Sequence, residues 1–236
     1  YERALVIGSE HITWLLDWSD RNTAVLFGDG AGAVVVEESK NPEDGEIFSF
    51  VNGLSSDKLD ILEIPNFGSA MDRFKSDEAA KVRWTFDGQE IFKGGIRAMA
   101  TASEEVIIKS GLTKEDIGLL IPHQANLRIV EGLEKMLKLP NAKTIKKVHK
   151  YGNTSAASIP TALVDALEEG EIKGGEVAVL TAVGAGLSWG ACAVRLGKRT
   201  DPINTSDAKL PDFDGKAVDT IRKAIEYQVP EKLDLI

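Results

Sequence analysis

The chain carries the stretch IGLLIPHQANLRIV at residues 117–130, and this stretch decides the class of its fold. Residues 117–121 form a short, mainly apolar run, which predicts a buried strand. Over residues 126–137 the apolar positions recur at helical spacing, which predicts a helix. His123 lies on the turn between the two elements. Because such turns open onto a crevice in α/β sheets, His123 is a candidate functional residue.

Outward from this stretch, strand-like and helical segments alternate along the chain. The pattern predicts further strands at residues 4–7, 23–37, 45–64, 144–148, 177–183 and 189–196, and further helices at residues 89–110 and 156–169. We interpret the first two segments as strands of a buried sheet, because they are rich in apolar and β-branched residues. The alternation predicts an α/β fold with a mainly parallel or mixed sheet and helices packed on it.

The segment FGDGAGA at residues 27–33 is rich in glycine, but it matches no phosphate-binding pattern. We expect Gly28, Gly30 and Gly32 either to let neighbouring segments approach closely or to supply a positive φ.

A second polar cluster, YGNTSAAS at residues 151–158, precedes the next predicted helix. Its Asn153 is a second candidate functional residue. The structural alternative is that Asn153, Thr154 or Ser155 caps that helix.

Composition narrows the functional classes. The chain has 236 residues, a net charge of −9 and a single cysteine, Cys192. The acidic balance argues against nucleic-acid binding, and no apolar run approaches the ~20 residues of a membrane helix. One cysteine argues against a disulfide framework or a multi-cysteine zinc site and fits the cytoplasm. We expect no metal and no cofactor.

Four ordered motifs resemble the C-terminal half of β-ketoacyl-acyl-carrier-protein synthase III. They are FGDGAGA at 27–33, PHQANLR at 122–128, GNTSAAS at 152–158 and GAGLSWG at 184–190. The resemblance covers roughly residues 2–196, with the spacing of 30 residues between His123 and Asn153 that the family has. It implies a thiolase-like fold, layered α-β-α-β-α with mixed sheets. The chain would hold the C-terminal half and the end of the N-terminal half.

On this basis we expect four regions. Residues 1–64 end the N-terminal half, residues 65–87 form a loop or lid, and residues 88–196 form the C-terminal half with the His/Asn site. Residues 197–236 form an extension, in which an amphipathic helix is predicted at 217–229. Family members generally end near the last predicted strand, so the extension has no counterpart in the resemblance.

The resemblance implies a decarboxylative Claisen condensation of an acyl-CoA starter with malonyl-acyl carrier protein, the step that starts fatty-acid synthesis. His123 and Asn153 match two members of the family's Cys-His-Asn set. Two fixed donors stabilise the enolate that decarboxylation forms, and a helix dipole would keep the imidazole neutral.

The resemblance implies that the nucleophilic cysteine lies some tens of residues before Tyr1, on a strand-to-helix turn upstream of this chain. The chain opens with YERALVIGS, without an initiator Met, and we expect it to be a piece of a longer protein. Cys192 lies in an apolar strand, where a structural thiol is expected. We therefore expect the 236 residues to form no acyl-enzyme and to be inactive without a Cys-bearing segment or subunit.

Further residues are carried over by position. The resemblance places the backbone N–H of Ala185 in the oxyanion hole and Asn126, Gln89 and Val183 at the substrate or pantetheine tunnel. Arg128, Lys93 and Lys135 are predicted to dock the carrier protein. Four further lysines at 143–150 either add to this patch or form a solvated face.

The expected partners are acyl-CoA, malonyl-acyl carrier protein and a second copy of the complete enzyme. Two alternatives stay open. The chain could belong to another thiolase-fold acyltransferase or a polyketide, alkylquinolone or long-chain ketone synthase, as Val183 in place of a larger aromatic suggests. It could also be a non-catalytic partner subunit of a split condensing enzyme.

Overall fold

The computed structural model describes residues 1–64 and 84–201, together with single positions between residues 207 and 226. In chain order, the elements are β1 (Arg3–Glu10), α1 (Arg21–Ala24), β2 (Gly30–Glu37), β3 (Glu46–Leu54), β4 (Leu62–Glu63), β5 (Thr85–Phe86), α2 (Gly88–Lys109), β6 (Leu119–Pro122), α3 (Leu127–Leu137), β7 (Lys143–Thr144), α4 (Val148–Tyr151), α5 (Ser158–Glu168), β8 (Val177–Gly184) and β9 (Ser188–Arg195). The helices predicted at 89–110, 126–137 and 156–169 and the last two predicted strands are confirmed to within about two residues.

The larger sheet has five strands in the order β3-β9-β8-β6-β7. It is mixed, because β6 runs parallel to β7 and β8, whereas β9 is antiparallel to β8 and β3. All four residues of β6 are buried, as its apolar run predicts. Pro122 is the last residue of β6, and His123 follows it directly with its backbone N–H on the Thr181 carbonyl at 2.8 Å.

Helices cover both faces of this sheet. Leu120 and Val179 pack with residues of α2 and α3, whereas Leu119 and Ile121 pack with residues of α5. The alternation follows from the two-residue period of a strand. Beyond α5 lies β2, which pairs antiparallel with β1 in a two-stranded sheet. Helices, five-stranded sheet, helix and two-stranded sheet therefore succeed one another as layers, as the thiolase-like fold requires.

The prediction that β1 and β2 are buried strands is wrong in this structure. Leu5, Ile7 and Val35 are each 60% exposed or more. Among the described residues, the two strands pair with each other alone. Residues 156–161 lie close against them at Gly8 and Gly32. Their composition is that of core strands, but nothing within the described residues covers most of their surface.

The strand predicted to begin at residue 23 begins only at Gly30. A turn of helix, α1, precedes it, because the side chain of Asp20 accepts the Asn22 N–H and caps that helix. Likewise, the segment predicted at 45–64 contains a strand only as far as Leu54, followed by a 3-10 turn and the short β4.

The division of the chain into regions stays a prediction, but sheet pairing divides it elsewhere than at residue 64. β3 pairs with β9, so it belongs to the same sheet as the His123 strand, and the change of sheet falls between Glu37 and Glu46. Of the predicted lid, residues 65–83 lie outside the described residues and 84–87 include β5. Most of the extension and its predicted helix also lies outside them; only Asp219, Arg222 and Glu226 are described with helical backbone.

Neither a membrane-crossing helix nor a metal cluster occurs in the part of the chain that the structure describes. No helix there has the length and apolar character needed to cross a bilayer. No group of three or more His, Cys, Asp or Glu side chains among the described residues is placed to hold a metal ion.

Candidate active site

Two adjoining cavities lie at the carboxyl ends of β6 and β8, with volumes of about 570 Å³ and about 960 Å³. His123, Asn153 and Val183 line both cavities. Most of the other residues predicted for the site line one of them: Gln89, Lys93, Asn126 and Arg128 in the smaller cavity, and Ala185 in the larger. The structure therefore brings together residues that are up to 96 positions apart in the sequence.

His123 is held in a buried position at the end of β6. Only 9% of the residue is exposed, and burial lowers the pKa of its imidazole to about 4 from an ordinary value of 6.5. The imidazole is therefore neutral at pH 7. A neutral ring was expected from the sequence as the effect of a helix dipole, whereas the structure assigns it to loss of solvent.

Ser158 contacts the inner nitrogen of this imidazole. The Nδ1 atom of His123 lies 2.6 Å from Oγ of Ser158, which is itself buried. The same oxygen accepts the backbone N–H of Gln124 at 3.3 Å. The Nε2 edge of the ring is thus the edge available to a molecule in the cavities.

Asn153 is fixed by its backbone against the segment that leads into β2. Its N–H donates to the Leu26 carbonyl at 2.8 Å, and its own carbonyl accepts the Gly28 N–H at 3.0 Å. Its side-chain Oδ1 accepts the N–H of Ser155 at 2.9 Å. With the oxygen occupied in this way, the NH₂ group is the part of the amide that can donate to a ligand.

The capping alternative for this cluster does not hold. The Asn153 side chain binds the N–H of Ser155 at the start of a 3-10 turn, whereas α5 itself receives no side-chain cap. Ser155 has a φ of +47°, an uncommon value for a residue other than glycine. The turn presents the Asn153 amide to the cavities.

The lack of a side chain at Gly28 lets the segment that leads into β2 lie close to the turn that contains Asn153. A Cβ atom at Gly28 would lie 2.2 Å from the carbonyl oxygen of Tyr151, and one at Gly32 would lie 2.8 Å from Cβ of Pro160. None of Gly28, Gly30 and Gly32 has a positive φ. Of the two structural roles predicted for these glycines, close approach is therefore confirmed.

Gln89 and Asn126 both belong to helix starts that face the smaller cavity. Asp87 caps α2 by accepting the N–H groups of Gln89 and Glu90. Asn126 caps α3 with its Oδ1, which accepts the Ile129 N–H at 2.9 Å. Asn126 thus has a structural role besides the predicted contact with substrate.

The basic residues fall into two groups. Lys93 and Arg128 are exposed at the smaller cavity, while Lys135 lies on α3 away from both cavities; none of the three forms an ion pair with a described residue. The lysine run behaves differently, since Lys143, Lys146, Lys147 and Lys150 are each paired with a carboxylate. Their charges are largely neutralised, so they add little to the docking patch, and Lys147 is buried and does not belong to a solvated face.

Cys192 lies in β9, paired with Phe50 of β3 on one side and Leu180 of β8 on the other. Burial raises the pKa of its thiol. Among the described residues that line the two cavities, Cys192 is absent. Its surroundings are those of a structural thiol.

Sequence reasoning missed the contact between Ser158 and His123. Ser158 was visible as the last residue of the GNTSAAS motif, five positions after Asn153. Its partner is 35 residues away in the sequence, so no local pattern connects the two.

Comparison with known proteins now gives the family. Residues 107–196 match the family described as 3-oxoacyl-[acyl-carrier-protein] synthase III C terminal, and residues 1–55 match 3-oxoacyl-[acyl-carrier-protein] synthase III. The chain belongs to the synthase III family. Both His123 and Asn153 lie in the part that matches the C-terminal family model.

Individual synthase III proteins support the assignment. The chain is 46% identical over 232 residues to beta-ketoacyl-[acyl-carrier-protein] synthase III 2 of Vibrio cholerae, covering 96% of this chain and 62% of that protein. It is 35% identical to the crystal structure of 3-oxoacyl-(acyl carrier protein) synthase III from Pseudomonas aeruginosa PAO1, with a TM-score of 0.74, covering 84% of this chain and 59% of that one. The chain thus spans about three fifths of the length of these relatives.

Another synthase resembles the chain in structure. The priming β-ketosynthase of the R1128 polyketide biosynthetic pathway has a TM-score of 0.76 at 32% identity, covering 84% of this chain and 58% of that one. The Vibrio cholerae match also corrects an expectation. Because it includes 96% of the chain, it extends well beyond Arg195, so most of the C-terminal extension does have a counterpart in a synthase III relative.

Proposed function

We propose that this chain provides the His/Asn part of a condensing enzyme, which joins an acyl-CoA starter to malonyl-acyl carrier protein and yields 3-oxoacyl-acyl carrier protein. The observation that carries the proposal is the pair His123 and Asn153 on one cavity wall, with Nδ1 of His123 and Oδ1 of Asn153 each already hydrogen-bonded within the protein. Two neutral donors directed at one space suit an oxygen that gains negative charge during a reaction.

The chemistry assigned to this pair is decarboxylation. When the bond between the malonyl carboxylate and its methylene carbon breaks, CO₂ leaves and the electron pair passes into the thioester, whose oxygen becomes an enolate. The Nε2–H of His123 and the amide NH₂ of Asn153 donate to that oxygen. A neutral imidazole suits this role because it donates without transferring its proton outright.

The carbon of the enolate then attacks the carbonyl of an acyl thioester and expels the thiolate that held it. We propose that the thiolate belongs to a cysteine other than Cys192, in a segment or subunit beyond these 236 residues. The β-sheet position of Cys192 and its raised pKa support this assignment. The backbone N–H of Ala185 is proposed to bind the oxygen of that acyl group, since Ala185 lines the same cavity as both donors.

The proposed substrates enter through the smaller cavity. Gln89, Asn126 and Val183 line it and would contact the pantetheine arm, while Lys93 and Arg128 stand at its exposed side. Cations that form no ion pair with a described residue suit an acidic carrier protein at that place, because complementary charge steers encounter and fixes orientation. Lys135 stays a weaker candidate for the same surface, and a homodimer of the complete enzyme is proposed from the family alone.

Release of CO₂ tests the proposal without the cysteine. The purified chain is incubated with malonyl-CoA radiolabelled in its free carboxyl group, and labelled CO₂ is collected; the enolate takes a proton from water to leave acetyl-CoA. We expect release above the buffer rate, and a loss of about 100-fold or more in His123→Ala and in Asn153→Ala, as for other oxyanion donors.

His149→Ala is the matched control, because His149 is an exposed histidine outside both cavities. It should leave release unchanged. Release equal to the buffer rate, or equal in all variants, would contradict the proposed role and favour a non-catalytic partner subunit.

A second candidate is priming of polyketide synthesis by the same chemistry. The likeness to the R1128 priming synthase favours it, as does the modest side chain of Val183 on the wall shared by the two cavities. The two candidates differ in starter and carrier protein, so the products formed with each carrier distinguish them once the cysteine-bearing part is supplied.

A further inference from the structure

We propose that Ser158 is a positioning residue, which sets the tautomer of His123 so that the proton lies on Nε2, facing the cavities. This inference deepens the proposed function, because it states how His123 becomes a donor. It rests on three buried groups, His123, Ser158 and the backbone N–H of Gln124.

The need for such a device follows from the chemistry of a neutral imidazole. The ring carries one proton, which lies on either Nδ1 or Nε2. Since His123 is neutral in its buried position, only one of its nitrogens can donate. A proton on Nδ1 would leave a lone pair on Nε2, and that lone pair would repel an enolate oxygen instead of stabilising it.

The hydrogen bonds of Ser158 decide between the two tautomers. Its hydroxyl contains one proton and two lone pairs. One lone pair accepts the Gln124 N–H at 3.3 Å, and the remaining close contact is Nδ1 of His123 at 2.6 Å. The structure gives this hydroxyl no third partner among the described residues.

If Nδ1 carried the proton, it would donate to Ser158, and the hydroxyl proton would be left without an acceptor. Ser158 is 1% exposed, so water offers little compensation. A buried donor without an acceptor is strongly disfavoured. With the hydroxyl proton donated to Nδ1, by contrast, all three groups are satisfied and the ring proton lies on Nε2.

Ser158 is itself held firmly. It is the first residue of α5, where the Thr161 hydroxyl is shared between the Ala157 carbonyl at 2.8 Å and the Ser158 carbonyl at 3.2 Å. The His123 backbone is fixed from the other side by the Thr181 carbonyl. Because Asn153 precedes Ser158 by five residues, one short segment both presents an amide donor and orients the imidazole donor.

Nitrogen NMR of the full chain labelled in its histidines tests the inference without any turnover. The chain has three histidines, His11, His123 and His149, and single substitution of each to Asn assigns the signals. In the unaltered chain at pH 7 we expect Nε2 of His123 to have the shift of a protonated nitrogen and Nδ1 that of an unprotonated one. A protonated Nδ1 in the unaltered chain would overturn the inference whatever the variants do.

Three variants complete the experiment. In Ser158→Ala, the signals of Nδ1 and Nε2 should move towards each other as the ring exchanges between tautomers, whereas Ser158→Thr retains a hydroxyl and should restore the difference. Ser103→Ala is the matched control, since Ser103 is another buried serine whose hydroxyl makes a 2.7 Å hydrogen bond, to the Met99 carbonyl. It should leave both signals in place. An unchanged spectrum in Ser158→Ala would overturn the inference.

These results are separable from the proposed function. The NMR signals report the tautomer even if the chain releases no CO₂, and CO₂ release that depends on His123 does not establish what Ser158 does. If both hold, kcat for CO₂ release in Ser158→Ala should fall by the factor by which the Nε2–H population falls, with KM for malonyl-CoA unchanged.

Discussion

His123 and Asn153 line the same cavities, but the protein holds them in different ways. His123 follows a fully buried strand, and its ring is fixed by a side chain, Ser158. Asn153 lies on a turn, and its backbone bonds to Leu26 and Gly28 outside the five-stranded sheet. The proposed donor His123 thus depends on burial and on the Ser158 hydroxyl. The proposed donor Asn153 depends on the close approach of its backbone to that of Leu26 and Gly28.

The difference separates two sources of a good donor. Burial removes charge from His123, a titratable group that would otherwise gain a proton in mild acid. Asn153 cannot titrate and needs no such protection, so its segment can lie nearer the surface. Changes of pH should therefore affect the first donor, and changes of backbone packing the second.

The largest expected effect is on stability in acid. The pKa of His123 is about 4 in the folded chain and about 6.5 when unfolded, so between these values the unfolded chain binds a proton that the folded chain does not. The contribution of His123 to the free energy of unfolding is greatest above pH 6.5. It falls by about 3 kcal/mol as the pH drops to 4. Urea unfolding at several pH values measures it.

The comparison uses His123→Asn and Asn153→Ala. The free energy of unfolding of His123→Asn should lack this part of the pH dependence, because the imidazole is removed. Asn153→Ala retains His123 and should keep it, and all other titrating groups are the same in both variants. Parallel curves for the unaltered chain and His123→Asn would show that the imidazole is not held neutral by burial.

The next effect concerns the packing that holds Asn153. In Gly28→Ala, the new Cβ would lie 2.2 Å from the Tyr151 carbonyl, so the Asn153 segment must shift. Displacement of a catalytic group by about 1 Å can cost about 100-fold in rate, and we expect a loss of that order in kcat for CO₂ release.

Gly118→Ala is the control for this change, because a Cβ there meets its nearest neighbour at an ordinary 3.6 Å. It should retain near-normal kcat. The imidazole of His123 in Gly28→Ala should keep its low pKa, since its own burial is unaltered. Full activity in Gly28→Ala would mean that close approach at this glycine does not position Asn153.

A smaller effect is expected at the entrance to the cavity that the two donors share. Arg128→Glu should raise KM for malonyl-acyl carrier protein by about tenfold and KM for malonyl-CoA by less, because the carrier presents an extended acidic surface to Arg128, whereas coenzyme A carries negative charge only on its diphosphate and 3′-phosphate. Lys146→Glu is the comparison, since Lys146 is already paired with Glu134 at 2.8 Å. Equal effects on both substrates would assign Arg128 to the pantetheine arm instead of the carrier.

The smallest effect is expected at Cys192. Incubation of the chain with a radiolabelled acyl-CoA should leave Cys192 unlabelled, and Cys192→Ala should release CO₂ at the rate of the unaltered chain, because the thiol lies within the sheet and away from both donors. Stoichiometric labelling of Cys192 would reverse the assignment of the nucleophile.

Much of this architecture could be predicted from the sequence. The apolar run before His123 and the helical spacing after it predicted β6 and α3, and the four ordered motifs indicated the family and both candidate donors. These features are local, because a buried strand, a helix face and a short motif each leave a pattern within a few neighbouring residues.

The exposure of β1 and the pairing of the lysine run could not be predicted in this way. Leu5 and Ile7 have the composition of a core strand, but burial depends on which other strands lie beside them. Lys147 appears in the sequence as one of four surface cations, whereas Glu169 and Glu171, more than 20 residues later, bind it in a largely buried position.

By itself, then, the sequence determined the main helices, the strands β6, β8 and β9, the family and the two candidate donors. Only the tertiary structure decided that His123 is neutral because it is buried, that Gly28 lets the Asn153 turn approach, and that Ser158 contacts Nδ1. Protonation state, close approach and tautomer all depend on atoms that are distant in the chain, and folding alone brings those atoms within a few ångströms of one another.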